Sequence, residues 1–570
     1  MPREGTIDCD VLVAGSGAGG MAAAVTARKH GLDVVVAEKE SWFGGTTALS
    51  GGWLWVPGNR PGARLSEQAG ATEPPGAARA YLQDQCGPWF DAARVDAFLA
   101  AGPRMVEFFM RETAVQFECP VMFPDYHPDA PGGAPGGRSI VAAPFDGRAL
   151  GRSLAKLRPP LPELTLFGMM LGSGKEIVHF FNATRSFESA RVVAKRLASH
   201  ARDLALYRRG IRLTNGNALA GRLLKSAEDA GVRLLLVAPV RELLRADGAV
   251  RGARLDTADG PVQVRARRGV VLACGGFPQD VERRRRLFPH APTGAEHWSP
   301  APPGNTGDGL RLAEQAGARI EQDLPHAAAW VPVSRVARRD GTTGLFPHFI
   351  DRAKPGVIAV TRKGRRFVNE ANSYHDFVQG LVAAAGRDAP TAFLLADHRA
   401  IRRYGLGFAK AFPLPLGPYL RSGYLLRGDT LAALAARAGI DAAALQVTVD
   451  AYNRHAREGA DPEFRKGSSA YNRFLGDATV APNPCIAPLE VPPFYAVQVV
   501  VGDLGTYAGI GTDGRARVLG ARGEPIAGLY AAGNDMASIM GGNYPAGGIT
   551  LGPAMTFGYI AGCDLAGIVP

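Results

Sequence analysis

Three tyrosines in separate parts of the chain have the residue type and the local setting for acid–base chemistry. Tyr126 lies in FPDYHP ahead of a glycine-rich segment, Tyr374 comes four residues after Glu370 in RFVNE, and Tyr544 begins YPAGG. A phenol has an ordinary pKa near ~10, so it acts as a base only where its phenolate is stabilised. Tyr126 could stabilise the Tyr374 phenolate by donating a hydrogen bond to it. A plain tyrosine at a turn is the alternative interpretation of Tyr126.

The elements that would position these tyrosines begin with a nucleotide-binding segment at the N-terminus. An apolar stretch over 9–14 predicts a buried parallel strand, GSGAGG follows it, and an alanine-rich stretch over 21–30 predicts a helix. A second strand is predicted over 32–37 and ends at Glu38. Glycines let the backbone approach a pyrophosphate, the helix N-terminus attracts it, and an acidic side chain accepts from ribose hydroxyls. The expected contacts are Gly15, Gly17, Ala18, Gly20, Glu38 and Lys39.

Two further segments favour FAD over NAD as the dinucleotide. Residues 44–52 (GGTTALSGG) form a small, hydroxyl-rich loop that can wrap a flavin, although an ordinary glycine loop is the alternative. Near the C-terminus, 529–534 predicts a strand entering a turn, and 547–554 opens a helix whose N-terminus can stabilise negative charge on a flavin. Both ends of the chain would therefore build the FAD domain. The expected contacts are Gly45, Thr46, Thr47, Ser50, Gly51, Gly52, Gly533, Asn534, Gly548 and Leu551.

The chain resembles the fumarate reductase and succinate dehydrogenase flavoprotein superfamily, and within it the 3-ketosteroid Δ1-dehydrogenase family. The resemblance spans nearly the whole length and is carried by GSGAGG, GGTTALSGG, FPDYHPDAPGG, RRFVNEANSY and YPAGGITLGPAMTFGY. It implies an α/β fold: a split Rossmann-like FAD-binding domain (1–277 and 486–570) with an inserted α+β substrate-capping domain (278–485). It adds Val240 and Asp308 to the cofactor contacts, although the sequence alone predicts only a helix N-cap at Asp308.

The resemblance also implies roles for the tyrosines. Tyr374, assisted by Tyr126, would remove a proton from C2 of a 3-ketosteroid while C1 gives up a hydride to the flavin. The Tyr544 hydroxyl and the Gly548 N–H would both donate to the C3 ketone oxygen and stabilise an enolate. Two further residues, Phe123 and Tyr471, are expected to line the substrate site. For Tyr471, a structural role is the alternative.

Some positions differ from the patterns of the related enzyme families, and these differences bear on which reaction and which substrate are expected. Fumarate reductases carry an arginine at the position of Tyr374, which disfavours an ene-reductase of that type and a dicarboxylate substrate. A Δ4-directed ketosteroid dehydrogenase stays open. The family's usual histidine-threonine pair before Tyr544 reads Gly542-Asn543 here, and a second proline reads Gly547, which leaves the identity of the ketone open. The histidine that attaches FAD covalently in succinate dehydrogenases is missing, so non-covalent FAD is expected.

The amino-acid composition bears on whether the chain is a membrane protein, a nucleic-acid-binding protein or a metal-binding protein. The 570 residues are 46% hydrophobic, with no uninterrupted apolar stretch of transmembrane length. The net charge of +12 favours a solvated basic surface over contact with an anionic membrane, and nucleic acid is disfavoured because no basic stretch has interleaved aromatics. The six cysteines form no Cys-x-x-Cys pair, which predicts no metal site and favours a reduced, cytoplasmic protein.

Two features concern partners outside the active site. The chain has no second nucleotide-binding fingerprint, so electrons are expected to pass to an external acceptor such as a quinone rather than to come from NAD(P)H. The largely apolar segment 154–181 predicts a buried or capping helix; a monotopic patch that dips into a bilayer is the alternative.

Overall fold

The computed structural model describes residues 5–70, 72–172 and 175–570 of the chain. Two large sheets organise these residues: a mixed sheet of eight strands, called here the first sheet, and an antiparallel sheet of six strands, called the second sheet. Helices pack on both, so the chain has the mixed α/β architecture that the sequence predicts.

The first sheet contains segments from both ends of the chain. Its central strand Gly5–Ala14 pairs in parallel with Val34–Ala37 on one side and with Gly260–Leu272 on the other. Helix Ala18–Lys29 makes the crossover that parallel pairing requires. Pro525–Ala531 then extends the sheet in parallel with Gly260–Leu272. The other strands of this sheet are Arg233–Leu235, Val240–Ala246, Ala249–Thr257 and Arg517–Leu519.

The first helix begins at Ala18, three residues before the predicted start at residue 21. The reason is that glycines 19 and 20 belong to its first turn, where they allow close packing. A Cβ at Gly20 would lie 2.2 Å from the Gly15 carbonyl oxygen. Two further helices pack against this one, from the middle and the end of the chain: Asn215–Ala230 and Leu551–Ala566.

The second sheet is centred on Phe494–Thr506, which pairs with Ala328–Ala337 on one side and Thr391–Ala396 on the other. This strand comes after residue 485, so the second sheet continues beyond the boundary expected for the inserted domain. The other strands are Thr343–Pro347, Val357–Thr361 and Leu426–Gly428. The helices of this region are Tyr374–Ala385, His398–Tyr404, Gly417–Arg421, Leu431–Ala438, Ala442–Ala456 and Ala470–Leu475.

The remaining elements surround the two sheets. A small sheet joins Trp53–Trp55, Ser139–Ala142 and Phe117–Glu118. The other helices are Arg60–Gln68, Ala77–Cys86, Ala92–Glu112, Lys175–Asn182, Phe187–Tyr207, Val281–Leu287 and Asp308–Gln315. Short strand pairs join Phe145–Asp146 to Arg212–Leu213, Thr165–Leu166 to Met169–Met170, and Ile320–Glu321 to Gly509–Ile510.

The segment 154–181 is not the single helix that its apolar composition predicts. A 3₁₀ stretch ends at Lys156, the tight strand pair Thr165–Leu166 and Met169–Met170 follows, and a helix begins only at Lys175. Three prolines between residues 159 and 162 explain the break, because proline cannot continue a helix. Among all residues that the structure describes, no helix has the length and apolar character to cross a membrane.

Candidate active site

Four tyrosines from distant parts of the chain meet in one buried cluster. The Tyr126 hydroxyl donates a hydrogen bond to the Tyr374 oxygen across 3.0 Å. The Tyr544 ring lies against both, with centroid distances of 5.6 Å to Tyr126 and 4.9 Å to Tyr374. The Tyr471 ring lies 4.5 Å from that of Tyr126. The structure thus brings together Tyr126, Tyr374 and Tyr544, and places beside them Tyr471, which the sequence interpretation expects at the substrate site.

Tyr374 is positioned by the start of its helix and by a buried ion pair upstream. Helix Tyr374–Ala385 begins at this residue, and the Ser373 hydroxyl caps it by accepting from a backbone N–H of the first turn. Four residues earlier, the Glu370 carboxylate accepts two hydrogen bonds of 2.8 Å from the Arg366 guanidinium. Burial acts to raise the pKa of Glu370, but Arg366 and Lys466 outweigh burial and lower it. Glu370 is therefore a fixed anion that anchors the turn ahead of Tyr374.

Tyr126 is held against the segment that carries Tyr544. Its N–H donates to the Pro545 carbonyl across 2.8 Å, and the Tyr81 hydroxyl donates to the same oxygen across 2.7 Å. The preceding residue, Asp125, accepts from the Arg138 guanidinium at 2.6 Å. Burial raises the pKa of Asp125 to about 6, against the opposing effect of Arg138. These contacts tie the turn carrying Tyr126 to its neighbours on both sides.

Two histidines lie next to Tyr126 and Tyr374 in sequence but have other partners. His127 Nε2 lies 2.9 Å from Asp376 Oδ2 and so links the turn of Tyr126 to the helix of Tyr374. Burial disfavours charged His127, but Asp376 outweighs burial and raises the pKa of His127. His375 Nδ1 accepts from a backbone N–H at 3.0 Å, and burial lowers the pKa of His375 to about 3. His375 is therefore neutral in the folded protein.

In the segment that follows Tyr544, two positions have room only for glycine because neighbouring groups lie too close for a Cβ. Gly548 has φ +104°, and a Cβ there would lie 2.5 Å from the Trp55 nitrogen. The Trp55 N–H donates to the Gly548 carbonyl across 3.0 Å, which fixes the peptide. A Cβ at Gly547 would lie 2.4 Å from Phe123 Cε1, so this glycine lets the Phe123 ring approach the segment closely. The same ring lies 6.1 Å from that of Tyr126, at the edge of the cluster.

Burial dominates the electrostatics of the tyrosines. It raises the pKa values of Tyr126 and Tyr374 well above the ordinary value, and the Tyr544 phenol adds to the rise in both. It also raises the pKa of Tyr544 to about 12. All three hydroxyls therefore keep their protons at neutral pH. A neutral Tyr544 can donate to a ketone oxygen, whereas Tyr374 needs the hydrogen bond from Tyr126, or a higher pH, to serve as a base.

The buried arginines of this region already have partners. Arg352 is fully buried and donates to four backbone carbonyls, those of residues 348, 349, 370 and 372. Arg366 is bound by two carboxylates, Glu370 and Asp461. Arg362 and Arg365, the other arginines in this stretch, are exposed. None of these four guanidiniums is therefore available to pair with a buried dicarboxylate.

A cavity opens at the carboxyl end of Gly5–Ala14 and includes the N-terminus of helix Ala18–Lys29. This is where parallel α/β sheets bind dinucleotides, because the helix N-terminus attracts phosphate. Most of the predicted cofactor contacts line it, which fits FAD. They are Gly15, Gly17, Ala18, Glu38, Lys39, Gly45, Thr46, Thr47, Ser50, Val240, Asp308, Gly533, Asn534 and Leu551.

Four predicted cofactor contacts do not line this cavity: Gly20, Gly51, Gly52 and Gly548. Because Gly20 has no side chain, the first helix can lie close to the Gly15 carbonyl. Gly52, at φ +70°, packs its backbone against residues 215 and 216, where a Cβ would lie 2.3 Å from a carbonyl carbon. Gly20 and Gly52 therefore serve close packing around the cavity, which spacing alone does not distinguish from ligand contact.

Charged groups at the cavity also contact one another. Glu38 Oε2 accepts from the Ser16 N–H at 3.0 Å and from the Ser16 hydroxyl at 2.5 Å. Lys39 pairs with the Asp308 carboxylate. The N-cap of the helix at Asp308 is Gly307, with φ +75°, so the predicted N-cap is wrong by one residue. Asp308 is instead the first helical residue and lies at the cavity wall.

Two other residues line the cavity, although the sequence does not indicate that they contact a ligand. Asn305 Nδ2 donates to Thr46 Oγ1 at 3.0 Å and so ties the turn over 304–309 to the glycine loop. Its position in GNTGDG indicates a turn but not a ligand contact. Arg158 also lines the cavity and lies in no recognisable motif. Within the described ranges, no three His, Cys, Asp or Glu side chains are grouped so as to hold a metal ion.

Comparison with known proteins finds relatives that are similar over nearly the full length of the chain. A family model described as an FAD binding domain matches residues 10–551. The chain is 45% identical to 4-oxocyclohex-2-ene-1-carboxylate 5-dehydrogenase of Sinomonas cyclohexanicum, over 98% of this chain and 94% of that protein. It is 37% identical to 3-oxosteroid 1-dehydrogenase of Mycobacterium tuberculosis strain H37Rv, over 98% of both.

A solved structure is similar over the whole chain. It is the 3-ketosteroid delta1-dehydrogenase of Sterolibacterium denitrificans in complex with 1,4-androstadiene-3,17-dione. The TM-score is 0.89 at 36% sequence identity, and the match covers 98% of this chain and 99% of that one.

Proposed function

Because the chain belongs to the 3-ketosteroid Δ1-dehydrogenase family of FAD-dependent oxidoreductases, we propose that it desaturates the ring bond between the carbons α and β to a ketone. The observation that carries this proposal is the hydroxyl contact of 3.0 Å between Tyr126 and Tyr374, with the Tyr544 ring against both. Tyr126 as donor to the base, Tyr374 as the base and Tyr544 as donor to the ketone would then lie together in one buried cluster. That set suits removal of a proton activated by a carbonyl group.

The ketone oxygen would lie between the Tyr544 hydroxyl and the Gly548 N–H. Both donate to it, and they do so more strongly as the oxygen gains negative charge, which makes the protons on the adjacent carbon acidic. One such donor commonly contributes about 3–4 kcal/mol to lowering the barrier. The carbonyl of the same peptide unit, that of Gly547, accepts from the Ser139 hydroxyl across 2.8 Å, which helps to hold the Gly548 N–H in place.

Tyr374 would then take a proton from the carbon next to the ketone. A hydrogen bond donated by Tyr126 would stabilise the negative charge on the Tyr374 oxygen once its proton is lost. Burial opposes that ionisation. Bound FAD supplies the acceptor for the hydride that leaves the next ring carbon. The substrate loses one proton and one hydride in all, and a carbon–carbon double bond forms between the two carbons.

We assign the domains by the same reasoning. Residues 1–277 and 486–570 would form the FAD-binding domain around the first sheet, and 278–485 would cap the substrate. Strand Phe494–Thr506 would be shared, since it lies in the second sheet yet leads back to the first. In this arrangement Tyr374 and Tyr471 come from the cap, while Tyr126 and Tyr544 come from the FAD side.

An uncharged 3-ketosteroid is the substrate class that this site favours. The arginines Arg352 and Arg366 are engaged by carbonyls and carboxylates, so a buried dicarboxylate such as fumarate would lack a partner. The electrons would leave to an external acceptor such as a quinone. A cytoplasmic enzyme that meets its acceptor at an anionic membrane surface would be consistent with the net charge of +12.

A monocyclic ketone acid is the second candidate substrate. The relative at 45% identity is named for a cyclohexene that bears a ketone and a carboxylate. In this chain Gly547 also lets the Phe123 ring close against the ketone-binding segment, which would narrow the space beside the reacting ring. The same three tyrosines would act on either ring.

A substrate panel tests the proposed function. The purified enzyme is assayed with an artificial electron acceptor on androstenedione, a long-chain 4-en-3-ketosteroid and 4-oxocyclohex-2-ene-1-carboxylate, and with reduced viologen on fumarate. Turnover of at least one cyclic ketone, with a product two hydrogens lighter, is the expected result. Fumarate reduction faster than every ketone oxidation would overturn the proposal.

A further inference from the structure

Arg158 carries a guanidinium with unused hydrogen-bond donors on the wall of the FAD cavity. The residue is 7% exposed. Its Nε and Nη2 have no hydrogen-bond partner among the residues that the structure describes. Nη2 lies 3.4 Å from Glu40 Oε2, and the guanidinium carbon lies 5.5 Å from the centre of the Trp42 ring. A buried cation with unmade hydrogen bonds is costly, so its position calls for a further acceptor.

The backbone of Arg158 is held firmly, so the side chain starts from a fixed point. Its N–H donates to the Phe43 carbonyl across 3.0 Å. Its carbonyl accepts from Asn217 Nδ2 across 2.7 Å. Phe43 directly precedes the glycine loop of residues 44–52, and Asn217 belongs to a helix that packs on the first one. Arg158 is therefore part of the same rigid frame as the loop that is expected to wrap the flavin.

The other charged side chains at the cavity are already matched. Lys39, the second basic residue of the wall, is paired with Asp308. Glu38 accepts two hydrogen bonds from Ser16. Arg158 has an ion pair with Glu40 and the Trp42 ring beside it, but its Nε and Nη2 make no hydrogen bond within the described part of the chain, so it is the basic side chain of the wall that keeps donors for a ligand.

We propose that Arg158 binds the pyrophosphate of FAD. The planar guanidinium fork matches phosphate oxygens, and charge-assisted hydrogen bonds of this kind are about twice as strong as neutral ones. The N-terminus of helix Ala18–Lys29 supplies only a partial positive charge to the phosphates. Arg158 would add a full charge and would satisfy its own idle donors at the same time.

The test measures FAD affinity, not turnover. Arg158→Gln removes the charge, Arg158→Lys keeps it without the fork, and Arg209→Gln serves as the control, since Arg209 lies outside the cavity and donates to a backbone carbonyl. Release of FAD from diluted holoenzyme is followed by flavin fluorescence. The dissociation constant should rise about 10- to 100-fold in Arg158→Gln, should rise less in Arg158→Lys, and should stay unchanged in the control.

A competition experiment identifies the part of FAD that is bound. Flavin-free wild-type and Arg158→Gln proteins are titrated with FAD in the presence of ADP or adenosine. Arg158→Gln should weaken competition by ADP, which carries a pyrophosphate, and should leave competition by adenosine as it is. An equal loss for both competitors would overturn the proposal in favour of contact with the adenine or ribose. A dissociation constant for FAD within about threefold of wild type would overturn it altogether.

Discussion

Tyr126→Phe removes one oxygen and tests whether Tyr126 activates the proposed base. The hydroxyl that is lost donates to Tyr374 across 3.0 Å in a site where both residues are only 5% exposed. A hydrogen bond to a charged group contributes about 1.5–3 kcal/mol, and one pKa unit corresponds to about 1.4 kcal/mol. The pKa of Tyr374 should therefore rise by about one to two units in the variant.

The consequence for turnover follows from the sign of the pKa shift. Burial already holds the pKa of Tyr374 well above its ordinary value, so only a small fraction is phenolate at neutral pH. The rate of flavin reduction should rise with pH in the wild type as that fraction grows. In Tyr126→Phe the rate at neutral pH should fall about 10- to 100-fold, and the rising limb should move to higher pH by about one to two units.

The assay is stopped-flow flavin reduction under anaerobic conditions, at a series of pH values from neutral to alkaline. Tyr507→Phe is the matched control, because Tyr507 is buried near Tyr544 and its hydroxyl has no hydrogen-bond partner within the described part of the chain. The control should keep the wild-type profile. Activation of Tyr374 by Tyr126 would be ruled out if Tyr126→Phe lost rate without a displaced pH profile, or if Tyr126→Phe and Tyr507→Phe behaved alike.

Three further substitutions test the other parts of the site. Tyr374→Phe should keep its yellow flavin but lose about 10²- to 10⁴-fold in flavin reduction rate, since the base is gone; a rate within about threefold of wild type would contradict this role. Tyr544→Phe should reduce kcat by about 10²- to 10³-fold with flavin content intact, and an unchanged kcat would assign ketone binding elsewhere. Gly15→Val should be purified with little FAD, because a Cβ there would lie 2.1 Å from the Ala273 carbonyl oxygen; full flavin occupancy by absorbance would argue against the predicted nucleotide turn.

The N-terminal nucleotide-binding unit could be predicted because its signals are local. An apolar strand, a glycine turn, a small-residue helix and an acidic residue follow one another within about 30 residues, as such units do. The errors concern the ends of elements and the purpose of single glycines. Gly20 fits the fingerprint, yet its close approach is to the Gly15 carbonyl inside the protein.

The tyrosine cluster could be predicted only in part. Each motif is visible in the sequence, but the contact between Tyr126 and Tyr374 spans 248 positions and depends on how the two halves of the fold meet. Strand Phe494–Thr506 shows the same limit, since its place in the second sheet is set by partners far away along the chain. Arg158 lies in no motif, and only its burial beside the cavity draws attention to it.

A single anaerobic mixing experiment with the wild-type enzyme tests the proposed dehydrogenation of a cyclic ketone. The flavin absorbance is followed after addition of androstenedione or of 4-oxocyclohex-2-ene-1-carboxylate, and the organic product is identified by mass spectrometry. At least one ketone should reduce the flavin and yield one equivalent of a product two hydrogens lighter; in the product from androstenedione, the new double bond should join the carbons α and β to the ketone. A flavin that stays oxidised with both ketones but is reduced by NADH would contradict it.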